Sequence, residues 1–187
     1  MLRLVVGLSG ASGIVYGIRL LQVLREKNVQ TELIMTPTAK RMVELETDHD
    51  SEEILSLATR VHRIDDFEST ISSGGYLTDG MVIAPCSMKT LAGIACGYAS
   101  NLLLRAADVT LKERRPLVLV PRETPLNAIH LKNMLQLAEM GTTILPAMPA
   151  FYNKPSTANE LVDFVVGKAL DVLRIEHSLY KKWGTKD

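Results

Sequence analysis

Cysteine is scarce in this chain. Cys86 and Cys96 are the only two among 187 residues, and they form no C-x-x-C pair. That excludes a disulfide framework and offers no structural zinc spacing. The histidines, His49, His62, His130 and His177, are scattered; each reads as a surface residue, and no metal centre is indicated. Net charge is missing as well, since 21 Lys and Arg balance 21 Asp and Glu. A protein that binds nucleic acid through bulk charge needs a cationic excess. No apolar run approaches the roughly 20 residues of a membrane span. The first residues read as a strand rather than a leader, because glycines interrupt the apolar run and no cleavage site follows. The expected setting is therefore cytoplasmic, with neither membrane nor nucleic acid as partner. G-x-x-x-x-G-K-[ST] is also missing, which argues against a nucleoside triphosphate.

What is present is organised around Arg3 to Leu24, RLVVGLSGASGIVYGIRLLQVL. Leu4-Val5-Val6 begins as a buried strand. Gly7, Gly10 and Gly13 then form a glycine loop, and Ile14, Ile18 and Leu21 resume at helical spacing. Strand, glycine loop and helix make the first half of a βαβ unit. Unpaired amides at the helix start, with the helix dipole, attract phosphate. The spacing is G-x-x-G-x-x-G rather than the dinucleotide pattern, and the same loop would also serve as a tight turn that binds nothing. The hydroxyls of Ser9 and Ser12 favour a ligand.

Downstream the pattern repeats. Strands are expected over 29–35, 81–84, 116–120 and 142–145, with a short edge strand near 61–64. Helices are expected over 38–46, 51–59, 91–96, 101–113, 126–140 and from the Thr157-x-x-Glu160 capping box to about 175. Thr124-Pro125 reads as the cap of the helix that follows it. This alternation predicts a single three-layer α/β domain over 1–187, Rossmann-like, with a mostly parallel sheet and a C-terminal helical tail over about 176–187. Ligands in such sheets bind beyond the carboxyl ends of the strands. Four of those ends carry polar groups: Ser9 to Ser12, Thr36 to Thr38, Ser87 to Thr90, and Arg122-Glu123. Hydroxyls, backbone donors, cations and two carboxylates suit a phosphorylated cofactor and a second phosphate. Ser72-Ser73-Gly74-Gly75 is either a ligand-facing loop or a solvated connector. Arg105, Asp108 and Lys112 share one helix face, as an ion-pair ladder or as an anion site. Cys86 reads as a small buried residue.

Four segments carry a family resemblance. Gly10-Ala11-Ser12-Gly13, Asp79 to Ala92 (DGMVIAPCSMKTLA), Asn101 to Val109 with Leu111 to Leu119, and Pro121-Arg-Glu-Thr-Pro125 together resemble the UbiX-type flavin prenyltransferases over nearly the whole chain. That resemblance implies transfer of a dimethylallyl group from dimethylallyl monophosphate to N5 and C6 of reduced flavin mononucleotide (FMN), without a metal. The product, prenylated FMN, serves a separate UbiD-type decarboxylase. It also implies a large closed homo-oligomer, often a dodecamer, with sites at subunit interfaces. By position it assigns the flavin site to Gly10, Ala11, Ser12, Thr36, Ser87, Met88, Lys89, Thr90 and Arg122, with Ser12 near N5 and Glu46 completing the polar shell. The prenyl phosphate falls to Arg105, Lys112, Arg122, Glu123, Tyr152 and Lys168. Glu123 is either the base for the C6 proton or an ion-pair partner of Arg122, and the departing phosphate is the rival base. Two alternatives stay open: an FMN-dependent cysteine decarboxylase of similar fold, and a non-catalytic flavin carrier.

Overall fold

The computed structural model describes residues 1–184. Its six strands are β1 (Arg3–Leu8), β2 (Gln30–Met35), β3 (Arg60–His62), β4 (Gly80–Cys86), β5 (Leu117–Pro121) and β6 (Thr143–Ile144). They form one sheet in the order β3-β2-β1-β4-β5-β6, and every neighbouring pair is parallel. The chain winds outward from β1 to β3, returns to β4, and winds out the other way. Its direction therefore reverses between β1 and β4, and that is the place where open α/β sheets bind ligands.

Period-two alternation divides the core. Leu4, Val6 and Leu8 of β1 pack with α1 (Ile14–Glu26), α2 (Pro37–Glu46) and α7 (Ala158–Val172) on one face. Val5 faces the other layer, with α4 (Met88–Ala95), α5 (Leu102–Lys112) and α6 (Ala128–Glu139). A short α3 (Ser51–Leu55) leads into the edge strand β3. It ends four residues before the expected Thr59, because turns at Leu57 and Ala58 close it.

Three local expectations need correction. Thr124-Pro125 does not cap α6. Asn127 does, its side chain accepting from the His130 amide at 2.9 Å. At α7 the Thr157 hydroxyl caps as expected, accepting from the Glu160 amide at 3.3 Å, but the return bond is shifted by one residue, with the Glu160 carboxylate accepting at 2.6 Å from the amide of Ser156. The tail is not helical: α7 stops at Val172, and 176–184 folds back along it without helix. The rest of the expected tail, 185–187, lies outside the described residues.

Two histidines are not surface residues. His62 lies between Glu32, at 2.6 Å from Nε2, and the Ser69 hydroxyl, at 2.7 Å from Nδ1, with only 6% of its side chain exposed. Tyr76 donates to the other oxygen of Glu32, and the Arg3 guanidinium stacks over the Tyr76 ring at 4.7 Å. This buried polar set holds the segment after β3 against the sheet edge. The His177 side chain is buried against Asp171, 3.2 Å away. Asp171 also accepts from the Tyr180 hydroxyl and pairs with Lys182 at 3.3 Å, which fixes the tail to α7.

Candidate functional site

All strands being parallel, the polar groups after β1, β2, β4 and β5 emerge on one edge of the sheet. The loop Ser9–Gly13 is their meeting point. Ser9 is fully buried. Its hydroxyl donates to the Pro85 carbonyl at 2.9 Å and accepts from the Ser87 amide at 2.7 Å. The sequence suggested a ligand for this hydroxyl; the structure gives it the job of joining the ends of β1 and β4. Gly10 seats the loop on α2, because a side chain there would run into Thr38. Arg122, just past β5, donates from Nε to the Ser12 carbonyl at 3.0 Å.

Glu46 comes from the far end of α2 and caps α1. One carboxylate oxygen accepts from the amides of Gly13 at 2.8 Å and Ile14 at 3.0 Å. Burial pushes its pKa up, but hydrogen bonds from the Ser12 side chain and these two amides, with the nearby Arg122 charge, outweigh it. The net effect holds the carboxyl below its ordinary value. The start of α1, expected to draw a phosphate, is thus already occupied by a carboxylate.

The donors lie instead at α4. Ser87 is its N-cap, accepting from the Thr90 amide at 3.3 Å and donating to the Thr90 hydroxyl at 3.1 Å. The amides of Met88 and Lys89 make no hydrogen bond among the described residues, as helix geometry requires of a first turn. Thr36 caps α2 in the same way through Ala39. Free amides, small residues and a braced arginine around a narrow loop fit a flavin mononucleotide. Beside them a cleft of about 260 Å³ is walled by Arg122, Glu123, Leu126, Met134, Ala147 and Met148. Glu123 is exposed. Its carboxylate accepts from the Thr124 amide at 3.1 Å and makes no ion pair with Arg122 among the described residues.

The remaining cations lie elsewhere in the chain. Arg105 is on the outer face of α5, bonded to Asp108 at 2.8 Å. Lys112 ends α5 and pairs with Glu113, so the expected ladder on Asp108 stops halfway. Lys112 precedes β5 and Arg122 follows it; that strand alone spans about 16 Å at roughly 3.3 Å per residue. Lys168 is on α7, 3.8 Å from Asp171. Tyr152 packs edge-on against Phe164 and Trp183, with centroids 6.0 and 5.1 Å away. One chain therefore gathers Gly10, Ala11, Ser12, Thr36, Glu46, Ser87, Met88, Lys89, Thr90, Arg122 and Glu123 at the strand ends. It leaves Arg105, Lys112, Lys168 and Tyr152 on its flanks. Trp183 was not among the expected site residues; a lone indole in a polar tail was its only signal. Cys86 is buried as expected, and burial pushes its thiol pKa up.

Known proteins resemble this chain in sequence and fold over most of its length. The flavoprotein family profile matches residues 1–170. Flavin prenyltransferase UbiX of Methanocaldococcus jannaschii is 48% identical over 184 residues, covering 98% of this chain and 100% of that protein. The chain belongs to the UbiX flavin prenyltransferase family. A probable UbiX-like flavin prenyltransferase of Escherichia coli O157:H7 is 52% identical, covering 97% of this chain and 93% of its own. Among solved structures, a UbiX protein in complex with FMN and dimethylallyl pyrophosphate superposes with a TM-score of 0.97 at 44% identity, covering 100% of this chain and 99% of that one. A dodecameric FMN-dependent UbiX-like decarboxylase from Escherichia coli O157:H7 gives 0.96 at 51% identity, covering 98% and 100%. UbiX relatives thus carry both transferase and decarboxylase names. The peptidyl-cysteine decarboxylase EpiD, at 16% identity and a TM-score of 0.65, shares the fold alone. No helix among the described residues is long and apolar enough to cross a membrane, and no group of three or more metal-ligating side chains occurs among them.

Proposed function

We propose that this protein is a flavin prenyltransferase that transfers a dimethylallyl group from dimethylallyl monophosphate to N5 and C6 of reduced FMN. One observation carries the reading. The Gly10–Ser12 loop, the Ser87-capped helix and Arg122 meet at the β1/β4 reversal, in a chain 48% identical to a flavin prenyltransferase over 184 residues.

FMN supplies the electron-rich ring that the allyl group joins. The protein's part is to hold it and to manage charge. Gly10, Ala11 and Ser12, with Thr36, Ser87, Met88, Lys89, Thr90 and Arg122, hold the flavin. Charge grows on the donor phosphate as its C–O bond breaks. Arg105, Lys112, Arg122 and Lys168 oppose that charge, and the Tyr152 hydroxyl donates to the phosphate. Tyr152 and Trp183 add aromatic faces suited to a cation-like allyl fragment. Glu46 keeps the Ser12 turn in place. Ring closure uses the allylic double bond, whose middle carbon gains a proton while C6 loses one, and two groups are at hand to relay it, the Glu123 carboxyl and the released phosphate.

In this reading the site is completed between copies. Lys112 reaches the donor phosphate at a neighbouring chain's flavin, since its own Arg122 lies at the other end of β5, and Arg105 from the same helix face accompanies it. The apolar side chains Ile129, Leu131 and Leu135 on α6, with Met148 and Phe151, are exposed and available for such contacts. A homododecamer like the Escherichia coli relative supplies them. The product passes to a UbiD-type decarboxylase, and the free thiols of Cys86 and Cys96 are in keeping with a cytoplasmic setting.

The test is to incubate the protein anaerobically with reduced FMN and dimethylallyl monophosphate, with diphosphate in a parallel arm, and to weigh the extracted flavin. A gain of one prenyl unit is expected without added metal. Unmodified flavin in both arms would leave a carrier. The shared site has its own test: co-assembled Ser12→Ala and Tyr152→Phe chains should recover activity that neither variant has alone. A fully active monomer by light scattering would refute sharing.

A further inference from the structure

The Ser72-Ser73-Gly74-Gly75 segment has no role in the site so far. It follows a single 3-10 turn, Thr70–Ser72, and runs along the outer face of α5. It is firmly held. Arg115 donates to the Gly74 carbonyl at 2.6 Å and to the Tyr76 carbonyl at 2.9 Å, and the Tyr76 ring is fixed by Glu32 and Arg3. The held loop in turn holds one cation and lies against another. The Ser72 carbonyl accepts from Arg105 Nε at 3.0 Å, while Asp108 accepts from Nη1 at 2.8 Å. Nη2 of Arg105 makes no hydrogen bond among the described residues. At Gly74 a side chain would run into the Glu113 carboxylate and come within 2.9 Å of Lys112 Nζ. The missing side chain is what lets the Lys112–Glu113 pair lie against the loop.

We propose that Asp108 and the Ser72–Gly74 loop are positioning groups that hold Arg105 and Lys112 ready for the phosphate of the allylic donor. The inference rests on the reading that those two cations bind that phosphate. A long cationic side chain loses rotamer freedom when it closes on an anion, and that loss weakens binding. Here two of the three guanidinium nitrogens are already bonded, so much of the loss is taken during folding. The third nitrogen keeps its donors for a phosphate oxygen. A plain i,i+3 surface ion pair would need neither a carbonyl from 33 residues away nor a glycine beside the next cation.

The experiment is calorimetric titration of dimethylallyl monophosphate, and separately of inorganic phosphate, into the assembled protein carrying oxidised FMN, which does not turn over. Steady-state kinetics are run on the same variants. Asp108→Ala should raise the donor Kd and KM about tenfold, the scale of one charge-assisted contact, with FMN affinity and particle size unchanged. Asp108→Asn, whose amide oxygen still accepts from Arg105, should recover most of the lost affinity. Gly74→Ala should weaken the donor as Asp108→Ala does. If Asp108→Ala fails to assemble, Gly74→Ala decides, and an unchanged donor Kd there overturns the proposal. Arg105→Ala separates the two readings. If it weakens the donor while Asp108→Ala does not, positioning alone fails. If it has no effect, the phosphate role of Arg105 fails, and positioning fails with it.

Discussion

The strand-end loop and the outer face of α5 carry comparable chemistry under different constraints. The loop is tied by backbone-directed bonds from Ser9, Glu46 and Arg122, the first buried and the other two half-buried. On α5, Arg105 is about a third exposed and Lys112 about half. The first region is finished by folding one chain. In the second, Arg105 is bonded to Asp108 and Lys112 to Glu113, and Lys112 lies at the sheet edge opposite Arg122. Binding of the flavin and activation of the donor should therefore separate under mutation.

The largest expected effect is on the cations away from the loop, Lys112 of α5 and Lys168 of α7. Lys112→Ala and Lys168→Ala should lower kcat/KM for prenyl transfer by about 10²–10³-fold while FMN stays bound, because each removes charge acting on the developing phosphate. Visible absorbance of the retained flavin and single-turnover rates check this, and loss of flavin would break the comparison. Ser9→Ala should act on the first region alone. It leaves the Ser87 amide without its hydrogen-bond partner, while the Pro85 carbonyl keeps the backbone amide of residue 9 at 3.3 Å, at a cost of about 1–3 kcal/mol in unfolding free energy. Denaturant titration reads that loss, and an unchanged midpoint would mean that the strand ends are joined by something other than this hydroxyl. Glu46→Gln is the smallest, about 1 kcal/mol as for a lost helix cap charge. The folded pKa of Glu46 lies below its ordinary value of 4.5. Its stabilisation is complete above that value and is lost as pH falls through the lower, folded one. The gap between wild type and Glu46→Gln should accordingly be flat at neutral pH and close in acid, which stability curves at pH 7 and pH 3 would show.

Much of this could be read from the chain, and the misses have physical causes. Apolar runs such as Leu117 to Val120, buried on both faces, declare a central parallel strand. Thr36-Pro37 and Asn101 declare helix starts because a cap needs only its own next turn. The role of Ser9 was not legible, since its partners lie 76 and 78 residues away. Glu46 was placed in the site by resemblance, but its service to the amides of Gly13 and Ile14 depends on how α2 packs on α1. His62 looked like any isolated histidine until Glu32 and Ser69 closed around it. The separation of Lys112 from Arg122 follows from the parallel sheet itself: residues on either side of one strand leave by opposite edges.

The two outer strands have a consequence for assembly. β3 has three residues and β6 has two. Neither offers enough unpaired backbone for another sheet to continue the ladder. Copies of this protein are thereby turned away from edge-to-edge growth, which has no natural end. The surfaces left for contact include that of α6 and the loop at Met148 and Phe151, where side-chain shape would fix the angle between neighbours. A repeated fixed angle can return to its starting point, so the stunted sheet edges favour a particle of definite size over a fibre.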